Sequence, residues 1–62
     1  MKTREIKGKV YVQGHMGVSL LTNAEGVPVL IAERMGAELL RMNIGDGSDL
    51  IECLQAALKE AL

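Results

Sequence analysis

The chain has no tryptophan, no phenylalanine and a single tyrosine, Tyr11, among its 62 residues. The rings that fill most small cores are missing, so aliphatic side chains have to form the interior. Cysteine and histidine occur once each, as Cys53 and His15. One thiol closes no disulfide within a chain, and two potential ligands fall short of a structural zinc site, so a single copy has neither of the usual staples of a small fold. No apolar run approaches the roughly 18 residues that suggest a membrane-spanning helix. Seven Lys and Arg stand against eight Asp and Glu, a formal net charge of −1, which argues against the strongly basic balance of a typical nucleic-acid-binding domain.

What is present is aliphatic: nine Leu, five Val, four Ile and four Met. A chain of 62 residues sits near the lower limit at which one hydrophobic core holds a fold, so a single domain over 1–62 is expected, with 1–4 fraying. A thin core without staples is commonly completed by a partner subunit, and the expected assembly is a homodimer. The lone cysteine fits a reducing compartment, and residues 1–5 lead into an alternating segment instead of a signal-peptide-like apolar stretch. A cytoplasmic location without membrane attachment is the expectation.

The two ends differ in charge. Lys2, Arg4, Lys7 and Lys9 stand against Glu5 near the start, a net of +3, while Asp46, Asp49, Glu52 and Glu60 stand against Lys59 near the end, a net of −3. The ends could complement each other within one chain or between subunits; ordinary surface charge is the plain alternative.

Along the chain, residues 6–13 alternate, with Ile6, Gly8, Val10 and Val12 on one side and Lys7, Lys9, Tyr11 and Gln13 on the other, the pattern of a half-buried strand. Gly14-His15-Met16-Gly17 reads as a turn, 18–22 as a short β-branched strand, and Asn23-Ala24-Glu25-Gly26 as a hairpin connection. A further strand is expected over 27–32, with Pro28 at its start or on an edge because proline donates no ladder hydrogen bond. Residues 33–44 fit both periods. Gly36 tips the reading towards a Met35-Gly36 turn and a strand over 37–44, since glycine in a helix interior costs about 1 kcal/mol relative to alanine. A helix is expected over 49–62, with Ser48 as its N-cap and Asp49 complementing its positive end. Leu50, Cys53, Leu54, Ala57, Leu58 and Ala61 form an apolar stripe expected to dock on the sheet, opposite Asp49, Glu52, Gln55, Lys59 and Glu60. The expected fold is therefore α+β: a small antiparallel sheet of three to four strands followed by one C-terminal amphipathic helix (ββββα), with βββαα as the alternative.

Motifs for chemistry are sparse. Ser19 or Ser48 with His15 and Asp46 or Asp49 is the one set from which a nucleophile, base and orienting group could be drawn, and its spacing matches no known nucleophile elbow. Gly45-Asp46-Gly47-Ser48 before a helix suggests a phosphate cradle, but two carboxylates there repel an anion and the spacing is neither that of a P-loop nor that of a calcium loop. Cys53 reads as a small apolar residue of the stripe and His15 as a solvated turn residue. Met16, Met35 and Met42 form either an adaptable binding surface or gap filling in an aliphatic core.

No catalysis, cofactor or metal is expected. The expected function is a small protein-binding or regulatory module acting as a homodimer. The alternative is a sheet that binds single-stranded or duplex nucleic acid through Lys7, Lys9, Tyr11 and Gln13, joined by Lys2, Arg34 and Arg41. The order of four strands and a helix resembles, at the level of topology alone, the single-strand-binding transcriptional coactivators, which implies such a surface on the sheet; one tyrosine stands where several stacking aromatics would serve.

Overall fold

A computed structural model describes residues 6–62, with side chains from Gly8 onward. The expected fraying at 1–4, and the placement of Lys2 and of the Lys7 side chain, lie outside the described residues. Four strands, β1 (Ile6–Gln13), β2 (Met16–Thr22), β3 (Pro28–Arg34) and β4 (Ala37–Met42), are followed by one helix, α1 (Ile44–Ala61). They pair antiparallel in chain order as a β1-β2-β3-β4 meander. This is the expected α+β fold in its ββββα form, with Pro28 at a strand start.

The turns explain the order. Gly14, at φ 62°, opens a two-residue loop with His15, so Met16 already pairs with Gln13 and Gly17 with Val12. The second strand therefore starts earlier than the glycines suggest. Met35 (φ 51°) and Gly36 (φ 85°) both occupy the left-handed region that a tight hairpin of matching twist demands. Glycine takes that conformation freely, whereas Met35 holds it against its side chain's preference. Between β2 and β3, the Asn23 Oδ1 accepts from the amides of Glu25 and Val27, at 2.9 and 3.0 Å, replacing bonds that a backbone turn would otherwise make. The first and third loops sit at one end of the sheet, joined by a 2.7 Å bond from the Met35 amide to the His15 carbonyl.

Two irregularities break the simple alternation. β1 carries one extra residue between Lys7, opposite Leu21, and Val10, opposite Ser19. Gly8 makes that bulge possible, since a Cβ there would lie 2.7 Å from the Leu20 carbonyl oxygen. The expected common face for 6–13 is thereby overturned: the register at Lys7 is out of phase with that at Tyr11, which stands opposite Val18. β4 has a similar shift beside Ala32 and Glu33.

The helix differs most from expectation. It starts five residues before the expected position, because Asn43, extended at φ −81° and ψ 174°, caps it: its Oδ1 accepts from the Asp46 amide at 2.7 Å. Ser48 is already inside the helix. The expected docking along the sheet does not occur. Among the described residues, α1 touches only β3 and β4, and Gly47 is its one buried residue. One residue, Asn43, separates Met42 from Ile44, so the helix leaves from the end of the sheet and projects beyond it. The molecule measures 49 × 24 × 16 Å, with a radius of gyration of 13.3 Å, against about 10.5 Å for a compact domain of this length.

Candidate functional site

The register sorts the side chains onto two faces. Val10, Ser19, Ile31 and Arg41 form one cross-strand row, flanked by Leu21 and Val29. On this face lie the deepest side chains: Ser19 at 1% exposure, Leu21 at 4% and Ile31 at 5%. The Ser19 hydroxyl donates to Glu33 Oε2 at 3.0 Å, so this buried polar side chain is satisfied.

The opposite face carries the rows Tyr11-Val18-Ala32-Leu40 and Leu20-Leu30-Met42. The base of α1 rests on this face at the β3–β4 side. A Cβ on Gly47 would lie 2.5 Å from Leu30 Cδ1 and 3.7 Å from Met42 Sδ, so the missing side chain is what lets the helix start so close to the sheet. The β1–β2 side of the same face is open, with Tyr11 59% and Val18 39% exposed. A shallow groove there is lined by Tyr11, Val12, Gln13, Met16, Gly17 and Val18.

Beyond Gly47 the helix has a line of apolar residues at intervals of four, three and four: Ile51, Leu54 and Leu58, between 52% and 56% exposed. At 3.6 residues per turn these lie on the same side as Gly47. The stripe expected from sequence omitted Ile51, which lies beside Leu58 on one flank of it. Ile44 and Leu40 add further exposed aliphatic surface near the helix base.

The basic residues singled out by sequence are only partly gathered. Tyr11 and Gln13 share the open face with Arg34, through the row Gln13-Met16-Arg34. Lys9 is exposed within the bulge, out of the cross-strand pairing. Arg41 lies on the other face. There its Nε donates to Glu38 Oε2 at 2.7 Å and its Nη2 to Glu38 Oε1 at 3.2 Å. The hydrogen bond from Arg41, reinforced by its positive charge, holds the Glu38 carboxyl below its ordinary range. The bulge in β4 brings this pair together, since residues three apart on a regular strand face opposite ways.

The remaining candidates are dispersed. His15 is exposed at the hairpin-tip end, Ser19 is buried against Glu33, and Asp46 and Ser48 are on the helix at the other end of the sheet, so the conceivable nucleophile set does not converge. The Asp46 amide is occupied by Asn43. Met16 and Met35 lie at the hairpin tips and Met42 at the helix base, so the three methionines do not form one surface. Cys53 is exposed. Among the described residues, no three His, Cys, Asp or Glu are grouped to hold a metal ion, and no helix is long and apolar enough to cross a membrane. No family model matches the chain, and no curated protein or solved structure is significantly similar to it.

Proposed function

We propose that this chain is a non-catalytic protein-binding or regulatory module that works as a homodimer. The observation carrying the reading is the helical line Ile51, Leu54 and Leu58, each more than half exposed on an element that its own sheet does not cover. Contiguous apolar surface of this kind marks an interaction site. The scale is right for a second protein. One chain exposes 5097 Å², whereas a compact monomer of its mass exposes about 3,900 Å², and the difference of about 1,200 Å² exceeds the about 800 Å² that each partner loses in a standard interface. Light scattering coupled to size exclusion tests the dimer: the expected mass is twice the 6.7 kDa of one chain. A stable monomer at high micromolar concentration would overturn the reading.

A second reading, nucleic-acid binding on the sheet, draws support from the placement of Tyr11, Gln13 and Arg34 on one face. Backbone phosphate contacts release counterions, so such binding falls steeply with salt. Fluorescence anisotropy with single- and double-stranded oligonucleotides separates the two readings. Submicromolar affinity near physiological salt, lost in a folded Lys7→Ala, Lys9→Ala variant, would replace the protein-binding proposal.

A further inference from the structure

We infer that the second copy is held by reciprocal exchange of the C-terminal helices: each helix lies over the open β1–β2 half of the other copy's sheet, on the face that carries Tyr11, Val18 and Leu20. This inference rests on the homodimer reading and specifies which surfaces meet.

Four observations lead to it. The side of α1 that sets Gly47 on Leu30 and Met42 is the side that continues as Ile51, Leu54 and Leu58. The stripe therefore faces the level of the sheet from a position beyond its end. A two-fold axis perpendicular to the sheet face brings a second sheet under that overhang, with the matching face upward, and puts the second helix over the first sheet. The contact is self-complementary and closes at two copies.

The dimensions agree. α1 has 18 residues and is about 27 Å long, and β2 has seven residues and spans about 23 Å. One helix thus covers the length of one sheet, beside the base of the helix already seated on β3 and β4. Nor can the helix easily serve its own sheet. Folding back over it would require a reversal between Met42 and Ile44, where Asn43 alone connects them and is fixed by its capping bonds, whereas strand–helix connections commonly use two to six residues.

Charge points the same way. The helix carries Asp46, Asp49, Glu52 and Glu60 against Lys59, and the basic start of the chain runs into β1. Among the described residues of one copy, α1 touches β3 and β4, not β1. Exchange brings the net-negative helix of one copy over the first strand of the other, whose sequence holds Lys7 and Lys9; the attraction is one of net charges at a distance, because Asp49, Glu52 and Glu60 lie on the side of the helix away from its apolar line.

The arrangement is tested by directed cross-linking in chains carrying Cys53→Ser, which removes the native thiol. One chain carries Val18→Cys on the open sheet face and another Leu58→Cys on the helix. They are mixed, allowed to re-equilibrate, oxidised gently and run on a non-reducing gel. Exchange predicts covalent dimer in the mixture and only background in either parent alone. A chain carrying both substitutions should also link to a second copy. If that chain instead closes on itself and runs as a monomer, the helix folds back and the inference fails. If Leu58→Cys alone links as well as the mixture does, the helices pair with each other and the inference also fails. Light scattering on the reduced proteins is run alongside: a dimer with the wrong cross-link overturns the exchange alone, whereas a monomer of the unsubstituted chain overturns the homodimer reading as well. Tyr11→Cys, at a more exposed position on the same face, repeats the test independently of any packing defect at Val18.

Discussion

The middle of the sheet and the helix solve the same problem in different ways. β2 and β3 are paired on both sides, and Ser19, Leu21 and Ile31 are buried on the face that the helix does not touch. The helix has as many large aliphatic residues, in a cleaner pattern, yet it buries only a glycine. The strands obtain their partners from short hairpins, so their burial is local. The helix is joined to the sheet by a single capped residue, and its apolar line continues from Gly47 past the end of the sheet, beyond the reach of the described strands. An amphipathic pattern marks a face suited to burial; it does not say what that face is buried against.

Substitutions on the two sides of this comparison should behave differently. Ile31→Ala removes a buried side chain from the middle of the sheet and should cost about 2–5 kcal/mol, enough to leave much of so small a protein unfolded in the absence of denaturant. Urea titration followed by circular dichroism reads the loss. Leu54→Ala should leave an isolated copy nearly unchanged and weaken the proposed dimer by about 2 kcal/mol, roughly 30-fold in Kd. Dilution followed by light scattering measures it, and an unchanged Kd would remove the helix from the interface.

Gly36→Ala tests the hairpin that the sheet depends on. At φ 85° a Cβ is strained although nothing stands near it, so a loss of about 1–2 kcal/mol is expected in thermal melts. A gain would mean that the turn adopts another form. Asn43→Ala removes the cap from Asp46 and should cost about 1 kcal/mol, seen as a loss of helical signal at 222 nm without change in the strand pairings monitored by amide exchange. Its effect on assembly would reveal how far the direction of the helix is set at its base.

The smallest effect belongs to Glu38. Its carboxyl lies below the ordinary value of 4.5 in the folded protein because Arg41 donates to it, so the folded state favours the ionised form. The stabilisation is complete above the unfolded carboxylate range and is lost as the pH falls through the folded value. In Glu38→Gln the decline of the urea midpoint between neutral pH and acid should be slightly shallower. The pair is exposed, and added salt should reduce the difference further.

Much of the architecture is legible in the residues themselves. The alternation of 6–13, the Asn23–Gly26 connection, Pro28 at a strand start and the Met35-Gly36 turn each have a local cause, and the strands lie close to where those causes put them. The helix start is less legible because two caps compete. Gly45 and Gly47 weaken the first turn by intrinsic propensity, but Gly47 gains its packing on Leu30, a contact between residues far apart in sequence. The bulges are likewise set by pairing with neighbouring strands, and they divide the residues that simple alternation places together: Arg41 joins Glu38 on one face while Tyr11, Gln13 and Arg34 lie on the other. The open surfaces depended on knowing where the helix goes, which no periodicity contains.

The single-residue junction at Asn43 also makes the helix a lever. Over its length of about 27 Å, a swing of about 10° at the junction displaces Leu62 by about 5 Å, close to the spacing of neighbouring strands. The hydrogen bond between Asn43 and Asp46 thus governs a displacement far larger than its own size, and a minor adjustment at the base is enough to shift the far end from one strand to the next.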